Sequence, residues 1–440
     1  MANFQKVKTN YQKKTLSEVV DFIDGDRGAN YPSQGEFFPS GYCLFLSTKN
    51  VPNRKFSFEE KMFIDEEKNA VLRKGKLQRG DYVLTTRGTV GNFAYYDKNV
   101  PFENIRINSG MVILRKKTDE LDEKFFRYYL SSSSFSEQVK SRVSGSAQPQ
   151  LPIRDMISME IILPNPETQT RIASVLSAYD DLIENNEKRI KALEEMAQLL
   201  YTEWFVKFKF PGSSCAKASA DKHEKVKMID SKTEYGMVPE GWEVKKLSEI
   251  SSVVRGCSYS SEEINDFIGD YYIVNLKSFN RGGGFRFDGE KYYSGIINDN
   301  QSLETGDIVV AVTDMTTDRA VIARPARVPE INGKITFSAD VVKINSDILP
   351  NSFLYQLLLS HSFTETTKQK ANGANVLHLK PSAILEFVAP IPETQLLKMF
   401  DVLCEPIARE IDKLLKQNQN LSKTRDLLIP QLVTGRRELK

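Results

Sequence analysis

The side chains of this chain that could do chemistry are few, and poorly spaced for it. Three histidines (His223, His361, His378) and four cysteines (Cys43, Cys215, Cys257, Cys404) are scattered over 440 residues, with no Cys-x-x-Cys pair. A zinc or iron site needs such ligands clustered at short spacing, so none is expected, and the thiols read as reduced. No Gly-x-x-x-x-Gly-Lys-Ser/Thr phosphate loop occurs, and Gly282-Gly283-Gly284 reads as a turn rather than a dinucleotide fingerprint. His-Glu-x-x-His, Gly-x-Ser-x-Gly and the Asn/Asp-Pro-Pro-Tyr/Phe motif of amino-methyltransferases are absent. Asp314 and Asp318 near Arg319 only imitate a nuclease site, and Glu59-Glu60 and Asp65-Glu66-Glu67 read as solvated surface. The chain reads as non-catalytic.

The elements that would position any functional side chain are written twice. Pro166-Glu167-Thr168-Gln169 opens one long helical pattern and Pro392-Glu393-Thr394-Gln395 opens another. Upstream of each, Leu16-Ser17-Glu18 returns as Leu247-Ser248-Glu249, Gly80-Asp81 as Gly306-Asp307, Phe135 as Phe363 and Gly145 as Gly373. So long a period marks a duplicated domain, since solenoid repeats run ~20–50 residues. Within each copy, β-prone runs bounded by Gly and Asp predict strands: 82–86 and 111–114 in the first, 308–312 and 341–344 in the second. A helix is predicted over 124–140 and its counterpart over 353–370.

The segment 168–207 carries apolar residues three and four apart, from Ile172, Val175 and Leu176 to Met196, Ala197 and Leu200. That is a coiled-coil seam, and an unbroken helix here would be about 58 Å long. Residues 393–434 show a second seam, Ile407, Ile411, Leu414, Leu421 and Leu428, with a break or kink expected at Pro406. Asn186 and Asn418 fall on the two seams, which predicts that the helices pair. Between them, 211–234 is Ser-, Ala- and Lys-rich and reads as a solvated linker, with order resuming at Met237-Val238-Pro239-Glu240-Gly241-Trp242.

Charge does not announce a partner. The net charge is +2, but residues 1–163 carry 25 basic against 20 acidic side chains, and residues 231–392 carry 16 against 20. Any phosphate-binding surface must therefore be local. No run approaches the ~18 apolar residues of a membrane span, and the polar N-terminus lacks a signal-peptide core, so a cytoplasmic location is expected.

Taken in order, these pieces resemble the specificity (S) subunit of Type I restriction–modification systems over nearly the whole chain. The resemblance rests on Leu163-Pro164-Asn165-Pro166-Glu167-Thr168-Gln169 and its partial copy Ala389-Pro390-Ile391-Pro392-Glu393-Thr394-Gln395. It rests also on Leu193-Glu194-Glu195-Met196, Tyr201-Thr202-Glu203-Trp204-Phe205, Val238-Pro239-Glu240-Gly241-Trp242, and Leu427-Leu428-Ile429-Pro430-Gln431-Leu432-Val433-Thr434-Gly435. It implies a mixed α/β fold: two similar α+β target-recognition domains separated by two long helices that pair as an antiparallel coiled coil, with an internal pseudo-two-fold repeat. The expected bounds are 1–165 for recognition domain 1, 166–210 for the central helical spacer, 211–236 for the linker, 237–391 for recognition domain 2, and 392–440 for the C-terminal helical spacer.

The resemblance further implies that each domain reads one half of a bipartite, asymmetric site in double-stranded DNA. Two modification (methyltransferase) subunits would dock on the helices, and restriction subunits would join them. No cofactor would bind this chain; S-adenosylmethionine, ATP and Mg are expected on the partner subunits. A free-standing two-domain protein-binding scaffold is the alternative.

On this reading the Gly-rich polar turns are the expected DNA contacts, because Arg pairs bidentately with guanine and Asn or Gln with adenine. In the first domain these are Arg27 and Tyr31; Thr86, Arg87, Gly88, Thr89 and Asn92; and Ser146, Gln148 and Gln150. In the second they are Ser258 and Tyr259; Thr313, Asp314 and Thr316; and Asn375, His378 and Lys380, with Lys368 and Lys370 as phosphate contacts. Acidic Asp314 where the first domain has a basic turn predicts different half-sites. Trp204, Phe205 and Phe208 are expected as exposed docking anchors on the helices.

Overall fold

In the computed structural model, the apolar runs pair mostly as antiparallel ladders whose alternate residues enter two cores, Tyr82, Leu84, Val112 and Leu114 one and Val83, Met111 and Ile113 the other. The structure describes residues 11–145, 148–211, 227–233, 236–287, 289–315, 319–373 and 376–439. The chain forms two compact units, Met1–Asp181 with Leu421–Lys440, and Leu182–Asn420.

In the first unit a four-stranded antiparallel sheet has the order Val20–Asp24, Met111–Lys116, Tyr82–Thr85, Phe93–Tyr95. A second sheet places Cys43–Leu46 between Phe63–Ile64 and the parallel strand Ile105–Ile107. Tyr11–Thr15 pairs with Glu160–Pro164, which leads into the long helix Pro166–Tyr201. The second unit repeats the plan. Ser252–Arg255, Val341–Asn345, Ile308–Ala311 and Pro325–Arg327 form the four-stranded sheet, and Glu243–Lys246 pairs with Val388–Ile391 ahead of the helix Thr394–Val433. Each unit packs one end of both long helices into its own core. Ile172, Leu176, Ile429, Leu432 and Val433 are buried in the first. Phe400, Ile407, Tyr201, Trp204 and Phe205 are buried in the second.

Several expectations change. The helix read over 124–140 is two, Glu123–Leu130 and Ser133–Arg142, because the Ser132 hydroxyl accepts from the Phe135 amide and caps a new start. Ser360 does the same for Phe363, dividing 353–370 into Asn351–Leu359 and His361–Lys368. Pro406 does not break its helix. It is exposed, Val402 four residues earlier is 72% exposed so water reaches the freed carbonyl, and Phe400, Cys404 and Ile407 on both sides are held by the core. Val175 and Met196 on the predicted seam are exposed. Within the predicted linker, Met228–Asp230 is a strand paired with Met237–Pro239, while 212–226 lies outside the described residues.

The repeated Pro-Glu-Thr-Gln is out of step with the structural repeat. Ser132 corresponds to Ser360 and Phe135 to Phe363, and at that same separation Gln169 corresponds to Leu397, not Gln395. Gln169 is fully buried: it donates to the carbonyls of Glu120 (2.7 Å) and Pro164 (2.8 Å) and accepts from the Asp122 amide (2.8 Å). Leu397 is equally buried, whereas Gln395 is exposed. One copy closes the strand-to-helix corner with hydrogen bonds and the other with apolar packing.

Candidate nucleic-acid interface

Strand Tyr82–Thr85 ends in a tight turn. The Thr85 amide bonds the Asn92 carbonyl (2.8 Å), the Gly91 amide bonds Thr85 (3.0 Å), and Gly88 and Gly91 hold φ of +69° and +93°. Glycine takes these angles without the strain another residue would meet. A second loop comes back against this turn: the Ser144 and Gln150 amides and carbonyls pair reciprocally (3.0 and 2.9 Å), and the Leu151 amide bonds the Thr86 carbonyl (2.9 Å). Arg87 and Gln150 are thereby bridged side by side. Arg87, Gly88, Thr89, Gln148 and Gln150 are all exposed there. Arg27 joins them, since its guanidinium donates to the Ser109 carbonyl (3.2 Å) while the Arg87 amide bonds neighbouring Gly110 (3.2 Å).

Three expected contacts of this unit serve the framework. Thr86 is buried, 5% exposed, with both backbone groups bonded. Asn92 donates its amide to the Val51 (3.2 Å) and Pro52 carbonyls, so it ties down a loop and has no donor left for a base. Tyr31 packs edge-on against Phe45 at 5.7 Å. Ser146 lies outside the described residues.

The second unit builds the same junction with other side chains. The amides and carbonyls of Asn372 and His378 pair reciprocally (3.0 and 2.8 Å), and the Leu379 amide bonds Val312 (2.8 Å). Thr313 therefore stands where Arg87 does, and His378 where Gln150 does. The Thr313 hydroxyl lies 3.3 Å from His378 Nδ1. His378, Lys380, Ser258 and Tyr259 are exposed. Thr313 is 4% exposed and Asp314 2%, and the Asp314 carboxylate accepts the amides of Val321 (2.7 Å) and Ile322 (3.0 Å). Asp314 thus pins a turn, one of its carboxylate oxygens holding both amides, and its burial withdraws it from a base. Acidity near this junction comes instead from Asp340, whose carbonyl accepts the Val312 amide; burial and the nearby Asp340 push the Tyr259 phenol up. Thr316 and Asn375 lie outside the described residues, and Lys370 is paired with Glu386 at 2.8 Å.

Sequence reasoning missed the turns beneath these loops. A Cβ on Gly110 would come within 3.2 Å of Thr48 and 3.8 Å of Arg87, so Asn108-Ser109-Gly110 and Thr48–Asn50 support the Arg87 turn. The polar run Ser47-Thr48-Lys49-Asn50 after a fully buried strand was the available signal. Trp204 and Phe205 are not exposed anchors: they are 6% and 3% exposed and pack edge-on against Phe400, as Phe208 does against Trp242.

No group of three or more His, Cys, Asp or Glu able to hold a metal occurs among the described residues. Cys43, Cys257 and Cys404 are buried and separate, and burial pushes Cys43 up to about 11. None of the helices among the described residues is long and apolar enough to cross a membrane.

Comparison with known proteins agrees with this architecture. Residues 8–195 match the Type I restriction modification DNA specificity domain. The specificity subunit of type I restriction enzyme MjaIX from Methanocaldococcus jannaschii is 27% identical over 374 residues, covering 81% of this chain and 77% of that protein. The MjaVIII specificity subunit of the same organism is 25% identical over 99% of this chain and 95% of its own. The crystal structure of a type I restriction–modification S subunit from M. genitalium covers all of both chains with a TM-score of 0.52 at 17% identity, a likeness of fold. A domain model matching residues 8–195, relatives that align over most of its length and a shared fold make this chain similar to the specificity subunits of type I restriction–modification systems.

Proposed function

We propose that this chain is the DNA-recognition subunit of a type I restriction–modification complex and carries no catalytic step itself. The observation behind this reading is the duplicated junction, Arg87 beside Gln150 in one unit and Thr313 beside His378 in the other. Residues 1–165 and 237–391 are the recognition domains, and 166–210 and 392–440 the helical spacers that set the gap between half-sites. Arg27, Arg87, Thr89, Gln148 and Gln150 contact one half-site. Ser258, Tyr259, His378 and Lys380 contact the other. Arg and Gln are strong readers of guanine and adenine, whereas His and Tyr beside Asp340 make a different donor set, so the two half-sites differ in sequence. Phosphate contacts from Lys380 and Arg27 add salt-dependent affinity. Two modification subunits bind the helical spacers and bring S-adenosylmethionine; restriction subunits bring ATP and Mg.

Methylation mapping of the source genome, with and without this gene, tests the proposal. Loss of one split motif, two short half-sites around a constant gap with an adenine modified on each strand, is the expected result. An unchanged methylome with the methyltransferase intact and expressed would favour a protein-binding scaffold.

A further inference from the structure

The two units differ where the long helices pass the paired short helices. In the first unit this region is filled by ionic side chains. Arg425 bonds Asp180 at 2.6 Å, the Tyr128 hydroxyl donates to Asp180 at 2.7 Å, and Arg54, at φ +52°, donates to the Ser131 carbonyl at 3.3 Å. In the second unit each of these positions has been emptied. Tyr201, Trp204 and Phe205 take the core positions of Ile429, Leu432 and Val433, so Ala197 stands where Arg425 does. Phe400 and Cys404 take those of Ile172 and Leu176, so Ala408 stands where Asp180 does. Gly282, at φ +91°, replaces Arg54, and Gln356 replaces Tyr128.

A cavity of about 140 Å³ results, with Ala197, Ala408, Gly282, Glu194, Tyr355 and Gln356 in its wall. The exposed Gln198 and Gly282 form its mouth. Polar groups remain that none of the described residues satisfies. Gln356 is 5% exposed and its side-chain oxygen has no hydrogen-bond partner. The Glu194 carboxylate approaches Gly284 closely, 3.2 Å from where a Cβ would sit, and among the described residues has no cation beside it. Arg327, the cation in the wall, is already spent on Asp412 and Glu405. Unpartnered acceptors, one uncompensated carboxylate and apolar walls call for a group that is cationic, donor-rich and short-stemmed. The first unit supplies that group from its own chain, as the guanidinium groups of Arg425 and Arg54.

We propose that the cavity of the second unit binds a small organic cation, an alkylguanidinium or alkylammonium, whose charged head meets Glu194 and Gln356. Its stem lies against Ala197 and Ala408. The site is separate from the DNA-reading junction, so ligand occupancy stabilises this unit without contacting bases.

The test is thermal unfolding and calorimetry of the full chain with ethylguanidinium at millimolar, non-denaturing concentrations, against ethylurea, its uncharged isostere. The expected result is a saturable rise in Tm of a few degrees with ethylguanidinium and none with ethylurea. Glu194→Gln should weaken binding at least tenfold, and Ala408→Leu, which fills the cavity, should abolish it. Equal stabilisation by both probes would mark an apolar hole and overturn the proposal. No saturable response to either would mean the cavity holds only water, and would overturn it as well.

Discussion

Asn186 donates its side-chain amide to the side-chain oxygen of Asn418 at 2.9 Å, and Asn418 in turn directs its amide to the Ile183 carbonyl at 3.4 Å. Asn186 is 6% exposed, so the pair sits inside the seam between the two helices of the second unit. Arg189 and Glu410 pair at 2.9 Å further along the same two antiparallel helices. A buried amide satisfied at one alignment only penalises every slipped alignment. Replacing Asn186 or Asn418 alone with Leu strands the other amide and should cost about 1–2 kcal/mol. The double Leu variant should be at least as stable as the better single variant. Urea unfolding of the four proteins reads this coupling, and strictly additive losses would refute it.

Gln169 and Gln395 occupy the same place in a repeated motif but not in the fold. Gln169→Ala should destabilise the protein by about 2–3 kcal/mol, since it leaves two carbonyls and one amide without partners. Gln395→Ala, on an exposed side chain, should stay within about 0.5 kcal/mol of the parent. Midpoints of denaturant unfolding compare the two directly.

Arg87 and Asp314 follow one another in the duplicated turns, yet they predict opposite phenotypes. Arg87→Ala should weaken specific DNA binding by about 1–3 kcal/mol and leave unfolding unchanged. Asp314→Ala should lower stability by about 1–3 kcal/mol, because the buried Val321 and Ile322 amides lose their acceptor. Fluorescence anisotropy with the mapped target and thermal melts of the DNA-free protein separate the two effects.

Burial, with a smaller contribution from Glu195, raises Glu194 to about 7. The folded state therefore holds this proton more tightly than the unfolded chain, whose carboxyl titrates near 4.5. The stability it contributes is full below about pH 4.5, declines as pH rises through 7, and is flat above. Glu194→Gln removes that dependence. It should match the parent at pH 4.5 and exceed it by on the order of 1 kcal/mol at pH 8, after discounting for solvent near the mouth. A parent and variant with parallel pH profiles of Tm would show that the carboxyl is not held in this environment.

The duplication, the strand cores and the two long helices were legible in the sequence because each depends on local periodicity. Tyr82–Thr85, Ile308–Ala311 and the seam asparagines needed nothing beyond their own neighbours to be recognised. The order of motifs was enough to suggest the family. Which polar side chains face outward was decided only by the tertiary structure. Asn92 and Asp314 look like base readers until the backbone amides and carbonyls that consume them are brought near from 40 residues away or from across a turn. Trp204 and Phe205 look like exposed anchors until Phe400, far along the chain, closes over them. Proline 406 looks like a helix break until packing on both sides outweighs one lost hydrogen bond. The emptied space at Ala197 and Ala408 is invisible in either residue alone, because a cavity belongs to neighbours that only the fold assembles.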